Sequence, residues 1–167
     1  VPGIVYGKGA ETKKIALDFG VYIINRPKHL AEDKSPEILS WKHAINHLEK
    51  NNIELETMVV LPVTSPLRNK EDIDNSILLL DEKTDIVINI TETNRSPWFN
   101  MVKEDKDGYM SIVIDDKKRY FCRQDVPKIF NMSTNVYITR SNYIKNCNDI
   151  FDGKVRAYKI PNERAID

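Results

Sequence analysis

Between Ala10 and Ile90 the hydrophobic pattern switches repeatedly between a helical and a strand period, and this switching constrains the fold more than any other feature. Ala10 to Phe19 places Ile15, Ala16 and Phe19 on one side and Lys13, Lys14 and Asp18 on the other, which is the period of a helix. Gly20 follows as a residue that can take positive φ past a helix end. Val21-Tyr22-Ile23-Ile24 reads as a short strand that Arg26-Pro27 breaks, since proline has no N–H for a ladder. Ser35 and Pro36 then fit the N-cap and first position of a helix with Ile38, Trp41, Ile45 and Leu48 as its inner stripe. A strand at 57–61, a helix from Asn69 or Lys70 to about Asp81 with Ile73, Ile77 and Leu80 inward, and a strand Asp85–Ile90 complete the series. Helices alternating with strands predict an α/β fold: a Rossmann-like, mostly parallel sheet with helices on both faces.

From Ser96 the pattern changes. Strands are expected at 98–102, 109–114, 135–139 and 155–160, with turns at Asp107-Gly108 and Asp115-Asp116 and a short helix at 141–146. The C-terminal half thus predicts antiparallel additions to the sheet. The 167 residues suffice for one domain with its own core. Lys plus Arg and Asp plus Glu both number 25, which argues against a broad nucleic-acid surface. No apolar run approaches the ~18 residues of a membrane span. With only Cys122 and Cys147 and no CxxC, the composition suggests a reducing, cytoplasmic setting.

The junction LPVTSPLR, residues 61–68, lies where a strand ends and a helix begins. Open parallel sheets bind ligands outside the carboxyl ends of their strands, and a helix start favours negative charge. Thr64 and Ser65 offer hydroxyls there; Arg68 can pair with a phosphate or brace the loop. The competing reading is a proline-stiffened turn with a capping hydroxyl.

Four stretches carry a family resemblance. They are Thr64-Ser65-Pro66-Leu67-Arg68 before an acidic helix start, Arg26-Pro27-x-x-Leu30-Ala31-x-Asp33-x-Ser35-Pro36, Arg123-Gln124-Asp125-x-Pro127-Lys128-x-Phe130, and Glu163-Arg164-Ala165-Ile166-Asp167. In this order they resemble the cytidylyltransferases that activate acidic sugars, the CMP-sialic acid and CMP-Kdo synthetase-like enzymes. The resemblance implies transfer of CMP from CTP to a 3-deoxy-2-keto sugar acid, with release of pyrophosphate and use of Mg²⁺. It implies nucleotide contacts at Arg26, Thr64, Ser65 and Arg68, sugar-acid contacts at Arg123, Gln124 and Asn131, and a catalytic, metal-holding role for Asp167. It further implies a homodimer, with an extension at about 96–132 crossing to the second copy.

Three departures qualify the match. Where the family opens with a strand and a loop RxGSKxxxxKN, this sequence reads VPGIVYGKGAETKK; GKG at 7–9 is a poor substitute, and no strand before Ala10 stands out. Asp167 matches only the first aspartate of the family's Asp-x-Asp pair. Asn131 stands where many relatives carry arginine. The first two departures predict a piece of a longer chain; the alternative is a non-catalytic relative that kept the fold. Elsewhere, His43 and His47 have a zinc-compatible spacing but read as a solvated helix face, Cys122 reads as packing, and Trp98 and Phe99 as core or interface.

Overall fold

A computed structural model describes every residue except Val1, Pro2, Lys8, Asp33 and Asp167, and the backbone alone of Arg123. The elements are β1 (Ile4–Gly7), α1 (Ala10–Asp18), β2 (Tyr22–Asn25), α2 (Glu37–Lys50), β3 (Thr57–Val60), α3 (Lys70–Leu78), β4 (Ile86–Glu92), β5 (Val102–Glu104), β6 (Met110–Ile112), β7 (Phe130–Arg140), α4 (Ser141–Asn146) and β8 (Val155–Lys159). Short 3-10 turns cover Lys28–Leu30, Arg123–Asp125 and Asn162–Arg164. No helix among the described residues is long and apolar enough to cross a membrane. The chain divides into two compact units, residues 1–60 with 80–87 and 138–156, and residues 61–79 with 88–137 and 157–167.

β1 is a strand that the sequence hid. It has only four residues, and glycines stand at both ends of the stretch. It pairs in parallel with β2, Tyr6 opposite Ile24 and Ile4 opposite Tyr22. Side chains alternate across a strand, so these four share one face. That face meets α2: Ile24, Ala44 and Leu48 form a buried cluster on which Tyr6, Tyr22, Leu55 and Met58 pack. Gly20 closes α1 at φ +64°, the left-handed residue expected there. Of the apolar residues the sequence puts on one side of α1, only Ala16 is buried.

The second sheet has the order β3-β7-β4-β8. Asp85 N–H bonds Lys154 O and Ile160 N–H bonds Ile90 O, so β4 and β8 run the same way. Ser141 N–H bonds Glu56 O and Arg140 N–H bonds Asp85 O. The carboxyl end of β7 therefore lies beside the amino ends of β3 and β4, and β7 runs against both. Burial follows position. The central strands β4 and β7 are buried almost continuously over 86–91 and 133–139, as strands covered on both faces must be, whereas β8 is mostly half-buried or exposed. At the junction of β8, Gly153 sits so close to Tyr143 and Asp85 that a Cβ would come within 2.5 Å of the tyrosine ring and 2.6 Å of the carboxylate. Its N–H donates to Tyr143 Oη, and the next amide, of Lys154, donates to Asp85.

Three expectations need correction. The segment 98–102 is a turn, because Ser96 gathers the N–H groups of Phe99, Asn100 and Met101 on its carbonyl and bonds Asn100 through its own amide. The strand starts only at Val102 and pairs antiparallel with β6. The helix of 35–50 starts one residue late, at Glu37, with no side-chain cap. In α3 the buried residues are Asp72 and Ser76, while Ile77 is 41 % exposed. A polar inner face on a helix inverts the usual pattern and requires that each buried group find a partner.

Candidate functional site: the loop after β3 and its polar support

The partners of Asp72 and Ser76 lead to the loop after β3. Asn69 caps α3, its Oδ1 accepting the Asp72 amide at 2.8 Å. The Asp72 carboxylate is fully buried and takes a two-pronged bond from Arg164, Nε at 2.9 Å and Nη2 at 2.8 Å. The same pairing raises the pKa of Arg164, chiefly through the hydrogen bond to Asp72. Ser76 donates to the Asp72 carbonyl and accepts from Asn89 Nδ2 on β4. Asn135 on β7 donates from Nδ2 to the Arg164 carbonyl at 3.1 Å.

Arg68 joins this support to the loop. One guanidinium nitrogen donates to Asn135 O at 2.6 Å and another to Pro62 O. Burial lowers its pKa. Of the two uses that the sequence leaves open for Arg68, the loop-bracing one is in place. Ser65 is 1 % exposed and its hydroxyl lies 3.0 Å from that of Thr134 on β7. Thr64 is exposed beside it. The loop is thus a ledge fixed from below by Arg68 and Ser65, with Thr64 outward at the carboxyl end of β3.

The remaining predicted residues are placed as follows. Gln124 and Asn131 are exposed, in the 3-10 turn and at the start of β7. The Arg123 side chain lies outside the described residues, as do Asp167, Asp33 of the second motif and Lys8 of GKG. Among the described residues no group of three or more His, Cys, Asp or Glu is arranged to hold a metal ion. The Asp115-Asp116 pair serves backbone turns, accepting the Lys117 and Lys118 amides. Cys122 is exposed, not packed.

In the other unit, Arg26 follows β2. Its amide donates to Gly7 O, its Nε donates to Leu30 O at 2.7 Å, and its guanidinium carbon lies 5.8 Å from the centre of the Tyr6 ring. His43 and His47 are not a solvated face. His43 Nδ1 is 3.1 Å from Tyr6 Oη, and His47 Nε2 is 3.3 Å from Tyr22 Oη. Two histidines one helical turn apart meet two tyrosines on one face of β1 and β2, a match that helix periodicity alone cannot reveal. Burial lowers the pKa of His43, with His47, His29 and Lys50 adding to the effect. A depressed folded pKa means that the unfolded chain takes up the proton first. The His43 contribution to stability is therefore complete above about pH 6.5 and is lost as pH falls through the lower, folded value. Urea unfolding between pH 7.5 and 5 should show this acid loss, and His43→Gln should flatten the curve; an equal slope in both proteins would assign the loss elsewhere.

No family model matches the chain. The post-translational flagellin modification protein B of Campylobacter coli is 26% identical over 160 residues, 94% of this chain and 67% of its own length. The CMP-N,N'-diacetyllegionaminic acid synthase of Campylobacter jejuni is 22% identical over the same shares. The chain thus spans about two thirds of the length of these curated relatives. Among solved structures, CMP:2-keto-3-deoxy-manno-octonic acid synthetase complexed with CTP superimposes with a TM-score of 0.62 at 11% identity, over 96% of this chain and 73% of that one. The 4-diphosphocytidyl-2C-methyl-D-erythritol synthase of Anaerococcus prevotii gives 0.61 at 15% identity, over 98% and 71%. The structures bear out the mixed α/β, Rossmann-like fold. The two curated relatives point the same way as the four motifs, and the chain is similar to the cytidylyltransferases.

Proposed function

We propose that this chain carries the cytidine site of an enzyme that joins CMP to a 3-deoxy-2-keto sugar acid of the sialic, legionaminic or Kdo type. The observation that carries the reading is the braced ledge at the carboxyl end of β3, with Ser65 held by Thr134 and Arg68 locked to Pro62 and Asn135. A ledge that does not need to order itself on binding lowers the entropic cost of holding a flat base. The resemblance gives Arg26, Thr64 and Ser65 as nucleotide contacts; on the ledge Thr64 is the exposed hydroxyl, while Ser65 and Arg68 act through the loop. The resemblance gives Arg123, Gln124 and Asn131 to the sugar acid, and a guanidinium is suited to pair with its carboxylate through two bonds. The anomeric hydroxyl attacks the α-phosphorus, an O–P bond forms, and pyrophosphate leaves with the electrons of the broken P–O bond. The chain's own contribution is positioning and charge complementarity. Mg²⁺, when bound, neutralises phosphate charge, and the resemblance assigns it to Asp167. The active form in this reading is a homodimer.

Two measurements test the proposal. In a melting-temperature panel, CTP should stabilise the protein and UTP, GTP and ATP should not; at a hundredfold excess over Kd the linkage amounts to about 2.7 kcal/mol. In the full-length protein, with CTP and Mg²⁺ present, a sugar acid of this class should drive release of pyrophosphate. Equal stabilisation by UTP, or by none of the four, would overturn the cytidine site. CTP binding without turnover on any such acid would overturn the sugar-acid chemistry.

A further inference from the structure

We propose that Tyr6 is a positioning residue for Arg26, orienting its guanidinium for the nucleotide, and that His43 in turn fixes Tyr6. The inference rests on the reading of Arg26 as a nucleotide contact and adds a layer behind it that none of the four motifs contains.

The register makes the arrangement. Tyr6 stands opposite Ile24 in the parallel pair. Arg26 lies two residues further along the same strand line and so returns to the Tyr6 face. Its backbone is carried there by the Arg26 N–H to Gly7 O bond, which extends the ladder one step past β2. The side chain is then held twice, by Nε to Leu30 O at 2.7 Å and by the Tyr6 ring under the guanidinium at 5.8 Å. The first contact uses one of the five guanidinium donors, and the second, a cation over a ring, uses none of them. A free arginine samples many rotamers, and a ligand that must select one of them binds more weakly; two fixed contacts remove most of that cost beforehand.

Tyr6 could perform this service only if its own ring were held. Its hydroxyl is 3.1 Å from His43 Nδ1, and the two rings meet with centroids 5.7 Å apart at 57°. His43 stacks on His47 at 6.3 Å and 29°, and His47 reaches Tyr22 on the neighbouring strand. Tyr6 is thus clamped between α2 and Arg26. Among the described residues no third His, Cys, Asp or Glu joins His43 and His47 in a metal-binding group.

The test combines two readouts on the full chain: the Arg26 Nε–H resonance, which reports the side chain's position, and CTP affinity by calorimetric titration. In Tyr6→Leu the resonance should shift and broaden, and CTP should bind about fivefold more weakly. Tyr6→Phe, which keeps the ring, should recover most of both. Arg26→Leu should weaken CTP further, and the double variant Tyr6→Leu/Arg26→Leu should bind no worse than Arg26→Leu alone. An unchanged resonance in Tyr6→Leu, or costs that add in full in the double variant, would overturn the proposal while leaving Arg26 as a nucleotide contact. CTP affinity that ignores Arg26→Leu would remove the nucleotide reading of Arg26 and the proposal with it. If Tyr6→Leu does not fold, Tyr6→Phe and His43→Gln decide: each should cost about twofold in CTP affinity, and no loss in either overturns the clamp.

Discussion

Replacing Arg164 by methionine should lower the melting temperature by roughly 5–10 °C, the largest stability effect expected from any one side chain of the polar support. The Asp72 carboxylate has no exposed surface, and the Arg164 fork spans both of its oxygens at 2.9 and 2.8 Å. Methionine fills much of the volume but supplies no donor, so the variant keeps a buried charge whose partner is gone. Breaking a buried pair from one side is the costly case; removing both charges is not. The double variant Asp72→Asn/Arg164→Met should therefore recover part of the loss. Melting curves of the two variants beside the parent protein settle the point. A shift of a degree or less in Arg164→Met would show that Asp72 does not depend on the fork.

The second large effect is expected at Arg68. Arg68→Met removes charge-assisted bonds to Pro62 O and Asn135 O, and the second of these carbonyls belongs to a fully buried residue. Bonds to a charged group contribute about 1.5–3 kcal/mol each where buried, and less at a half-exposed edge, so a loss of about 2 kcal/mol in urea unfolding at constant m is expected. Arg68→Lys should rescue little, because one ammonium cannot reproduce a planar fork between two carbonyls. The functional effect follows from the same geometry. A loop released from β7 must be ordered again by the nucleotide, and CTP affinity should fall about tenfold. If the urea midpoint moves but CTP affinity does not, the ledge is structural only.

The sequence was most legible where a single period dominates. The helix at Ser141–Asn146 falls on the residues expected, and β2, β3, β4 and β8 fall within two residues of their expected ends. It was least legible where a partner distant in sequence decides. Ile73 and Ile77 look like the inner face of α3 because apolar residues usually turn inward. Asp72 and Ser76 take that place because Arg164 and Asn89 wait for them. β1 escapes the pattern because Ile4, Val5 and Tyr6, three residues between glycines, carry too little of it to exceed a turn signal. The candidate site shows the same division. Motif spacing singles out Arg26, Ser65 and Arg68, but their partners Tyr6, Thr134 and Asn135 lie in no motif and became visible only with the register and the fold.

The reversed central strand sets an order of events during synthesis. In the sheet order β3-β7-β4-β8, β3 and β4 are not neighbours; each pairs with β7, which the ribosome delivers later than both. The Ser141 hydroxyl closes on Leu55 across 86 residues, and Thr139 closes on Asp85 across 54. Loops of that length must be closed before any ladder bond compensates, which slows folding relative to a chain of local contacts. Until β7 emerges, the apolar runs of β3 and β4 carry unpaired edges, the condition under which strands join the wrong neighbour. The sheet therefore closes late in synthesis, β3 gaining its β7 neighbour only with Phe130–Arg140 and β4 its second neighbour only with Val155–Lys159.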